Sequence, residues 1–300
     1  MTVAVCNRQP FSSGNIPSRW MGFVRAVEIF PPLFPRTAGS DSRIDLEHGI
    51  DLLIDDARRV RKFADILLVA DVKNPRLLKL STIEAAAMLR ERVRVDVAPV
   101  LVVRDFNRSQ FLSAVLTCLS RQLGHLMFAW GDDYAAGSGA TNVRDFATLA
   151  QSIREATLLR KRAAALTRFL APVNVELLSS KGEVTRARER LRAGSEYLLA
   201  QPPTTDLQSL ERHEALLRGA GLRDRVLLNV FPFKDFNDVR ECEAYFGWNL
   251  PHSLHRIAEK GQKALFETER EVVTSIRSRG LPGIYLNTRG IPSLAERFLS

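Results

Sequence analysis

The 300-residue chain has the composition of an ordinary folded domain, with 45% hydrophobic and 26% charged residues. These values exclude collagen-like, disordered and disulfide-rich classes of protein. The 43 Lys and Arg residues outnumber the 34 Asp and Glu residues and give a net charge of +9, which favours polyanionic partners such as nucleic acids, phosphorylated cofactors or polycarboxylates.

Short apolar runs alternate with amphipathic helical segments along the chain. Runs rich in β-branched or aromatic residues predict eight strands, at residues 24–30, 66–69, 97–103, 126–130, 173–177, 197–200, 226–230 and 283–286. Segments with an apolar repeat of three to four residues predict nine helices, at residues 45–63, 82–92, 108–123, 143–159, 184–192, 207–220, 236–245, 267–279 and 291–299.

The predicted strands include runs that are apolar on both faces, as the strands of a buried parallel sheet must be. Eight strand–helix repeats in a chain of this length are what a closed (β/α)8 barrel requires. We therefore predict a single-domain α/β protein, a (β/α)8 TIM barrel over residues 24–300 that follows an irregular arm at residues 1–23. A doubly wound open sheet is the alternative, although no G-x-G-x-x-G sequence follows the first strand and no G-x-x-x-x-G-K-[ST] sequence occurs.

The polar residues at the carboxyl ends of barrel strands are the candidates for chemistry. Glu28 lies inside the apolar end of the first strand. Burial of a carboxylate without a partner is costly and raises its pKa, and a raised pKa is what a general acid needs near neutral pH. An ion pair between Glu28 and a basic neighbour is the alternative interpretation.

Other strand ends carry further candidates. They are Arg104 after the third strand, Asp132 after the fourth, Gln201 at the end of the sixth, and an aromatic run at residues 231–236 after the seventh. The amide of Gln201 can read the hydrogen-bonding edge of a ligand. The aromatic side chains can stack on a flat ring.

Several classes of site are not expected. Cys6, Cys118 and Cys242 are odd in number and widely spaced, which excludes a disulfide framework and a cysteine-based zinc site. His252 and His255 lie three residues apart without a third ligand, so we expect no metal. No nucleic-acid-binding motif, membrane span or signal peptide is recognised, and we expect a cytoplasmic protein without nucleic-acid or membrane partners.

Taken in chain order, the strand ends resemble the catalytic barrel of the methylenetetrahydrofolate reductase family. Residues 27–32 (VEIFPP) resemble its E-F-F-P-P signature, and residues 193–201 (AGSEYLLAQ) its A-G-A-D-F-I-I-T-Q segment. Residues 280–288 (GLPGIYLNT) are similar to its G-V-P-G-L-H-F-Y-T segment. Shorter similarities, in the same order, occur at residues 102–108, 131–132, 230–236 and 250–251.

The resemblance implies hydride transfer from NADH or NADPH through FAD to 5,10-methylenetetrahydrofolate, giving 5-methyltetrahydrofolate. By position, Glu28 would be the general acid that opens the folate's five-membered ring. Asp132 would lie between the flavin and the pterin as a catalytic, substrate-binding and cofactor-binding residue. Gln201 would bind the folate by hydrogen bonds, and Phe236 would stack against the folate or nicotinamide.

The expected flavin contacts depart from the family pattern. Trp130 stands where the family has a flavin-binding Arg, and Val100 where it has a His. A short loop at residues 178–182 replaces the segment that covers the adenosine half of the flavin. Arg190 occupies the position of a phosphate-binding Lys, and Trp130, Asp132, Arg190 and Arg104 are the expected cofactor-binding residues. We expect FAD to be bound at less than one molecule per chain.

Two alternatives follow from these departures. One is a flavin-free tetrahydrofolate-dependent enzyme of methyl transfer or demethylation, and the other is a non-catalytic barrel that serves as a partner subunit. A homo-oligomer is compatible with the reductase and with both alternatives. A tetrahydrofolate derivative is the expected partner of either enzyme.

Overall fold

The computed structural model describes residues 22–35, 45–72, 77–131 and 145–299, and eight of its strands close into a parallel barrel. The strands in chain order are β1 Val24–Ile29, β2 Leu33–Pro35, β3 Ile66–Val69, β4 Leu77–Lys79, β5 Val97–Val102, β6 His125–Ala129, β7 Arg168–Asn174, β8 Ser195–Gln201, β9 Val226–Val230 and β10 Gly283–Leu286. The barrel order is β1-β10-β9-β8-β7-β6-β5-β3, and β2 pairs with β4 in a separate antiparallel ribbon.

Helices pack around the barrel and connect its strands. In chain order they are α1 Leu46–Val60, α2 Thr82–Arg92, α3 Arg108–Ser120, α4 Leu149–Arg162, α5 Lys181–Ala193, α6 Leu207–Gly219, α7 Phe236–Phe246, α8 His252–Glu259, α9 Gln262–Ser278 and α10 Ser293–Leu299. Six of them begin at a side chain that accepts a hydrogen bond from a first-turn backbone N–H, which satisfies one otherwise unpaired donor. These capping residues are Asp45, Asn107, Thr148, Ser180, Asp206 and Asp235.

The closed (β/α)8 barrel confirms the fold predicted from the sequence. The predicted boundaries of strands 66–69, 226–230 and 283–286 and of helix 82–92 agree with β3, β9, β10 and α2. Residues 1–21 lie outside the described part of the chain, so the expected N-terminal arm stays a prediction.

The predicted fifth strand, at residues 173–177, was placed too late in the chain. The observed strand is β7 Arg168–Asn174, and residues Glu176–Ser179 form a 3₁₀ turn instead. Pro172 lies in the middle of β7, where proline is unfavourable because it cannot donate a hydrogen bond to the strand ladder. The barrel tolerates it because the pairing of β7 with β6 ends at Leu170, while the pairing with β8 continues to Asn174.

Four further differences concern helices and the small ribbon. Helix α8 was not predicted, and α9 begins at Gln262 rather than at residue 267. The fourth helix was predicted from residue 143 but begins at Leu149, after its capping Thr148. The ribbon of β2 and β4 was also missed, since three-residue strands are too short to show a period.

The core has an inner and an outer layer, separated by the barrel wall. Alternate residues of the strands point inward and form a small apolar cluster, which includes Val24, Ala26, Ile66, Leu68 and Leu227. The remaining strand residues pack outward against the helices in a larger cluster. Because the alternation is strict, the next inward position on β1 after Ala26 is Glu28.

Closure of the barrel depends on the contact between its first and last strands. Gly283 has φ +154° and opens β10, and an added Cβ atom would lie 2.1 Å from the backbone oxygen of Val24 on β1. The Val24 N–H donates to the Pro282 carbonyl over 2.8 Å. A side chain at position 283 would therefore separate the strands where the barrel closes.

We expect Gly283→Ala to lower the free energy of unfolding by at least about 2 kcal/mol, because it combines a backbone clash with an unfavourable φ. Gly219→Ala is the matched control, since nothing lies within 4 Å of the Cβ it would add at the end of α6. Urea unfolding of both variants measures the difference. Equal stability of the two variants would contradict this account of the closure.

Candidate functional site

A cavity of about 980 Å³ opens at the carboxyl ends of the barrel strands. Side chains from the barrel strands and from helix α7 line it, so it occupies the place where (β/α)8 barrels carry their active sites. The two sides of this cavity differ in chemistry, and the difference follows the strand order.

One side is an apolar wall formed by β3, β5 and β6. Its lining residues are Leu68, Ala70, Val100, Val102, Met127 and Ala129. Several of these residues are small, which leaves room between the wall and the opposite side. The flat face of a ring system could pack against this surface without desolvating a polar group.

The opposite side is a polar arc, formed by Glu28, Tyr285, Asn229 and Gln201. These residues belong to β1, β10, β9 and β8, which are consecutive in the barrel. Glu28, Tyr285 and Gln201 line the cavity, whereas Asn229 is completely buried behind them. The register pairs Tyr285 directly with Asn229, so the arc is continuous from one end to the other.

Glu28 is buried, and its burial raises the pKa of the carboxyl from its ordinary value of 4.5 to about 7. The Tyr285 hydroxyl donates a hydrogen bond to Oε2 of Glu28 and opposes this shift by stabilising the ionised form. Burial and the neighbouring carboxylate raise the pKa of Tyr285 well above its ordinary value, so the phenol stays a donor. Glu28 can therefore hold or release a proton near neutral pH.

Gln201 ends β8 in the polar arc, where backbone and side-chain bonds fix it. Its carbonyl oxygen accepts a hydrogen bond of 2.8 Å from the Val175 N–H. Its side-chain Oε1 accepts one of 3.3 Å from Nδ2 of Asn229. Within the described residues, Oδ1 of Asn229 has no hydrogen-bond partner. Asn229 was not among the residues singled out from the sequence.

An aromatic rim, formed by Phe231, Tyr245, Phe246 and Trp248, borders the cavity. The first three line it, and Trp248 stacks on Phe246 with ring centroids 4.3 Å apart and an interplanar angle of 16°. Tyr245 is 76% exposed and Phe246 46% exposed. Such aromatic surfaces at the mouth of a cavity suit a second ring of a ligand.

The structure places Phe236, the aromatic residue expected to stack on a ligand, outside the lining of the cavity. Its ring packs against His255, with centroids 5.9 Å apart. The lining residues of α7 are Asp238, Glu241, Cys242, Tyr245 and Phe246. Counted from Asp238 they lie three, four, seven and eight residues on, which marks one helix face, and this period is the sequence signal that could have identified the rim.

Each cationic side chain that lines the cavity has a carboxylate partner. Arg104 is buried, and its Nε lies 3.4 Å from Asp105. Arg289 donates to Asp238 at the rim. In the ribbon beside the mouth, Lys79 pairs with Asp71. In the described lining, each guanidinium group is therefore already neutralised by a carboxylate.

The remaining expected cofactor-binding residues lie elsewhere. Nη1 of Arg190 donates to the Pro172 carbonyl over 2.7 Å and to Glu183 over 3.1 Å, and the side chain does not line the cavity. Trp130 packs against the outer core instead of the cavity. Asp132 lies outside the described residues. Gly131, just before it, lines the cavity with φ +87°, and an added Cβ atom would lie 2.4 Å from Val102.

These positions do not fit the FAD that the resemblance implies. A flavin dinucleotide carries a doubly charged pyrophosphate, which needs cationic or backbone N–H donors. In the described lining the two guanidinium groups already pair with carboxylates, and Arg190 is held by Glu183. A pyrophosphate would therefore compete with a carboxylate for each of these guanidinium groups.

Two features are absent from the described residues. No group of three or more His, Cys, Asp and Glu side chains is arranged there to hold a metal ion. In the same residues, no helix is long and apolar enough to cross a membrane.

The sequence matches no protein-family model and no curated protein, but solved structures share its fold. An uncharacterized protein from Clostridium thermocellum that binds two copies of 5-methyl-5,6,7,8-tetrahydrofolic acid superposes with a TM-score of 0.61 and 11% identity over 94% of this chain and 95% of that chain. A 2,3-dimethylmalate lyase of the PEP mutase/isocitrate lyase superfamily has a TM-score of 0.50 and 12% identity, over 92% and 78%. An oxaloacetate acetylhydrolase has a TM-score of 0.50 and 10% identity, also over 92% and 78%. At these identities the likeness shows the shared fold.

The raised pKa of Glu28 predicts a pH-dependent loss of stability. Folded Glu28 keeps its proton up to about pH 7 and unfolded Glu28 only up to about 4.5, so the stability present below pH 4.5 is lost as the pH rises through 7, by up to about 3 kcal/mol. We expect Glu28→Gln to match the wild type at pH 4.5 and to exceed its free energy of unfolding at pH 8.

Urea unfolding at the two pH values measures this difference. The exposed carboxylate Glu241, at the rim, provides the matched control, because Glu241→Gln removes a charge without removing a buried one. Parallel pH profiles for the wild type and Glu28→Gln would show that Glu28 ionises normally in the folded protein.

Proposed function

We propose that this protein binds a reduced folate in the barrel cavity and acts on its one-carbon unit, with Glu28 as the general acid. The observation that carries the proposal is a buried carboxyl group with a pKa of about 7 that faces an apolar wall across the cavity. A group of this kind donates a proton at neutral pH, and the surrounding arc supplies the hydrogen bonds that orient a ligand toward it.

The shape and chemistry of the cavity support a pterin as the bound ring. A pterin is flat and carries hydrogen-bond donors and acceptors along its edges. The apolar wall can cover its face, while Gln201 and Tyr285 in the polar arc meet its edge. The aromatic rim then lies where the aminobenzoyl ring of a folate would leave the cavity. The shared fold with a protein that binds 5-methyltetrahydrofolic acid supports the same assignment.

The proposed chemical step is protonation of a folate nitrogen. In methylenetetrahydrofolate, transfer of the Glu28 proton to N10 forms an N–H bond while the bond from the bridging carbon to N10 breaks. The ring opens to an iminium ion at N5, and Glu28 becomes a carboxylate that the Tyr285 hydroxyl stabilises. In methyltetrahydrofolate, protonation of N5 makes that nitrogen a better leaving group for methyl transfer.

We propose the flavin-free branch of this chemistry in place of the reductase reaction that the resemblance implies. In it, the one-carbon unit of methyl- or methylenetetrahydrofolate passes to a nucleophilic atom of a second substrate, and tetrahydrofolate is the leaving product. The reductase reaction needs FAD to relay a hydride from NADH or NADPH. The pairing of Arg104 with Asp105, Arg289 with Asp238 and Arg190 with Glu183 disfavours a bound pyrophosphate. The proton from Glu28 serves either reaction.

We expect the protein to bind 5-methyltetrahydrofolate and to take up a proton on binding at pH 8. A general acid must be protonated in the complex, and a ligand that covers Glu28 increases its burial, which raises its pKa further. Calorimetric titration in two buffers of different ionisation enthalpy measures the proton uptake. Glu28→Gln should bind within a few-fold of the wild type without proton uptake, and its turnover should fall by about 10²- to 10⁴-fold.

Two variants locate the binding site. Ala129→Phe fills the space in front of the apolar wall and should abolish folate binding. Leu166→Phe places the same phenylalanine side chain at an exposed position just before β7, at the opposite end of the barrel, and should leave binding unchanged. Absence of folate binding by the wild type would overturn the proposed function and favour a non-catalytic partner subunit.

We expect FAD to bind no more tightly than about 1 μM. Because the cationic side chains of the described lining are paired, riboflavin, which has no phosphate, should bind as well as FAD. Quenching of flavin fluorescence measures both affinities. A dissociation constant for FAD at or below about 10 nM, with riboflavin much weaker, would show that the pyrophosphate is held and would restore the reductase assignment.

A further inference from the structure

Asn229 has a feature that the proposed chemistry does not use. Its polar side chain has no exposed surface, and the other four residues of its strand, β9, are apolar. Burial of an amide costs free energy unless its hydrogen bonds are made. Only one such bond is present among the described residues, and it goes to Gln201.

The direction of this bond decides what Gln201 offers to a ligand. Nδ2 of Asn229 donates to Oε1 of Gln201 over 3.3 Å, so the acceptor atom of Gln201 faces the barrel wall. Its amino group, which only donates, is then the part of the amide left for the cavity. Without Asn229 the two ends of the Gln201 amide could exchange places by a half-turn of the terminal torsion.

The backbone around the pair limits other movements. The Asn229 carbonyl accepts a hydrogen bond of 2.8 Å from the Thr204 N–H, just after Gln201 in the chain. The Gln201 carbonyl accepts from Val175 over 2.8 Å. The main chain of both residues is therefore fixed. The Gln201 amide can turn over only if the Asn229 amide turns with it, and that would leave Nδ2 of Asn229 buried without an acceptor.

We propose that Asn229 is a positioning residue that makes the cavity selective for ligands with a carbonyl oxygen, rather than an amino group, at the ring position that Gln201 contacts. The inference rests on the proposed function, since the ring concerned is a pterin. A 4-oxo pterin presents an acceptor to the Gln201 amino group. A 4-amino pterin presents a donor, which leaves two donors facing each other with neither bond made.

The test compares two ligands that differ at this ring position. Tetrahydrofolate has oxygen at C4, and tetrahydroaminopterin has an amino group there. We expect the wild type to bind tetrahydrofolate about 10- to 100-fold more tightly than tetrahydroaminopterin, because a mismatched buried hydrogen bond lowers affinity by about this factor. Calorimetric titration gives both dissociation constants and hence their ratio.

Asn229→Leu should bring this ratio to within about threefold of one, because the Gln201 amide can then turn to suit either ligand. Asn229→Ala gives the same readout with less bulk if the leucine variant does not fold. A ratio that stays high in a folded variant without Asn229 would overturn the proposal.

Gln201→Glu provides the control that separates positioning from a merely structural role. A carboxylate has two equivalent oxygens and presents an acceptor in either orientation, so the preference should reverse toward the amino ligand. In the Gln201→Glu variant the two carboxylate oxygens are equivalent, so Asn229 has no orientation to fix. Adding Asn229→Leu to this variant should therefore leave the ratio of the two dissociation constants unchanged. A structural role would shift the ratio equally in both backgrounds and would contradict the proposal.

The outcomes for the proposed function and for this inference are distinct. Tight binding of both ligands by the wild type, at equal strength or with the amino ligand preferred, would overturn the role of Asn229 and leave folate binding in place. Binding of neither ligand would overturn both.

Discussion

The pairing of β1 with β10 is the constraint on which the rest of the site depends. This pairing closes the barrel and places Tyr285 beside Glu28, although the two residues are 257 positions apart in the chain. On its other side β1 pairs with β3, where Leu68 lies opposite Glu28. The carboxyl group thus has one polar neighbour and one apolar neighbour, and this environment sets its pKa.

The same strand order divides the cavity into the apolar wall and the polar arc. The four strands of the arc are consecutive, so their inward side chains can contact one another in a row. The strands of the wall carry small and aliphatic side chains at the same level. A ligand with a flat face and a polar edge satisfies both sides at once, and this pairing of surfaces is a stronger argument for a pterin than any single residue.

The positive net charge of the chain does not describe the cavity. Exposed basic residues such as Arg58, Arg59, Arg186 and Arg188 lie on the outer helices α1 and α5. In the described lining, carboxylates outnumber guanidinium groups, and each of those guanidinium groups is paired. Charge counted over the whole sequence therefore favours anionic partners, while the local pairing argues against a flavin dinucleotide with its charged pyrophosphate.

The sequence by itself determined the series of strand–helix repeats and favoured the barrel, because alternating strand and helix periods are local signals and eight repeats are what a closed barrel requires. It also indicated Glu28 and Gln201, since polar residues at the ends of apolar strands stand out from their neighbours. It did not single out Tyr285 or Asn229, and it indicated Phe236 where the structure places Tyr245 and Phe246 at the cavity. Only the tertiary structure decided these, because a side chain's partner across the barrel is set by closure and register, which no local window of sequence contains.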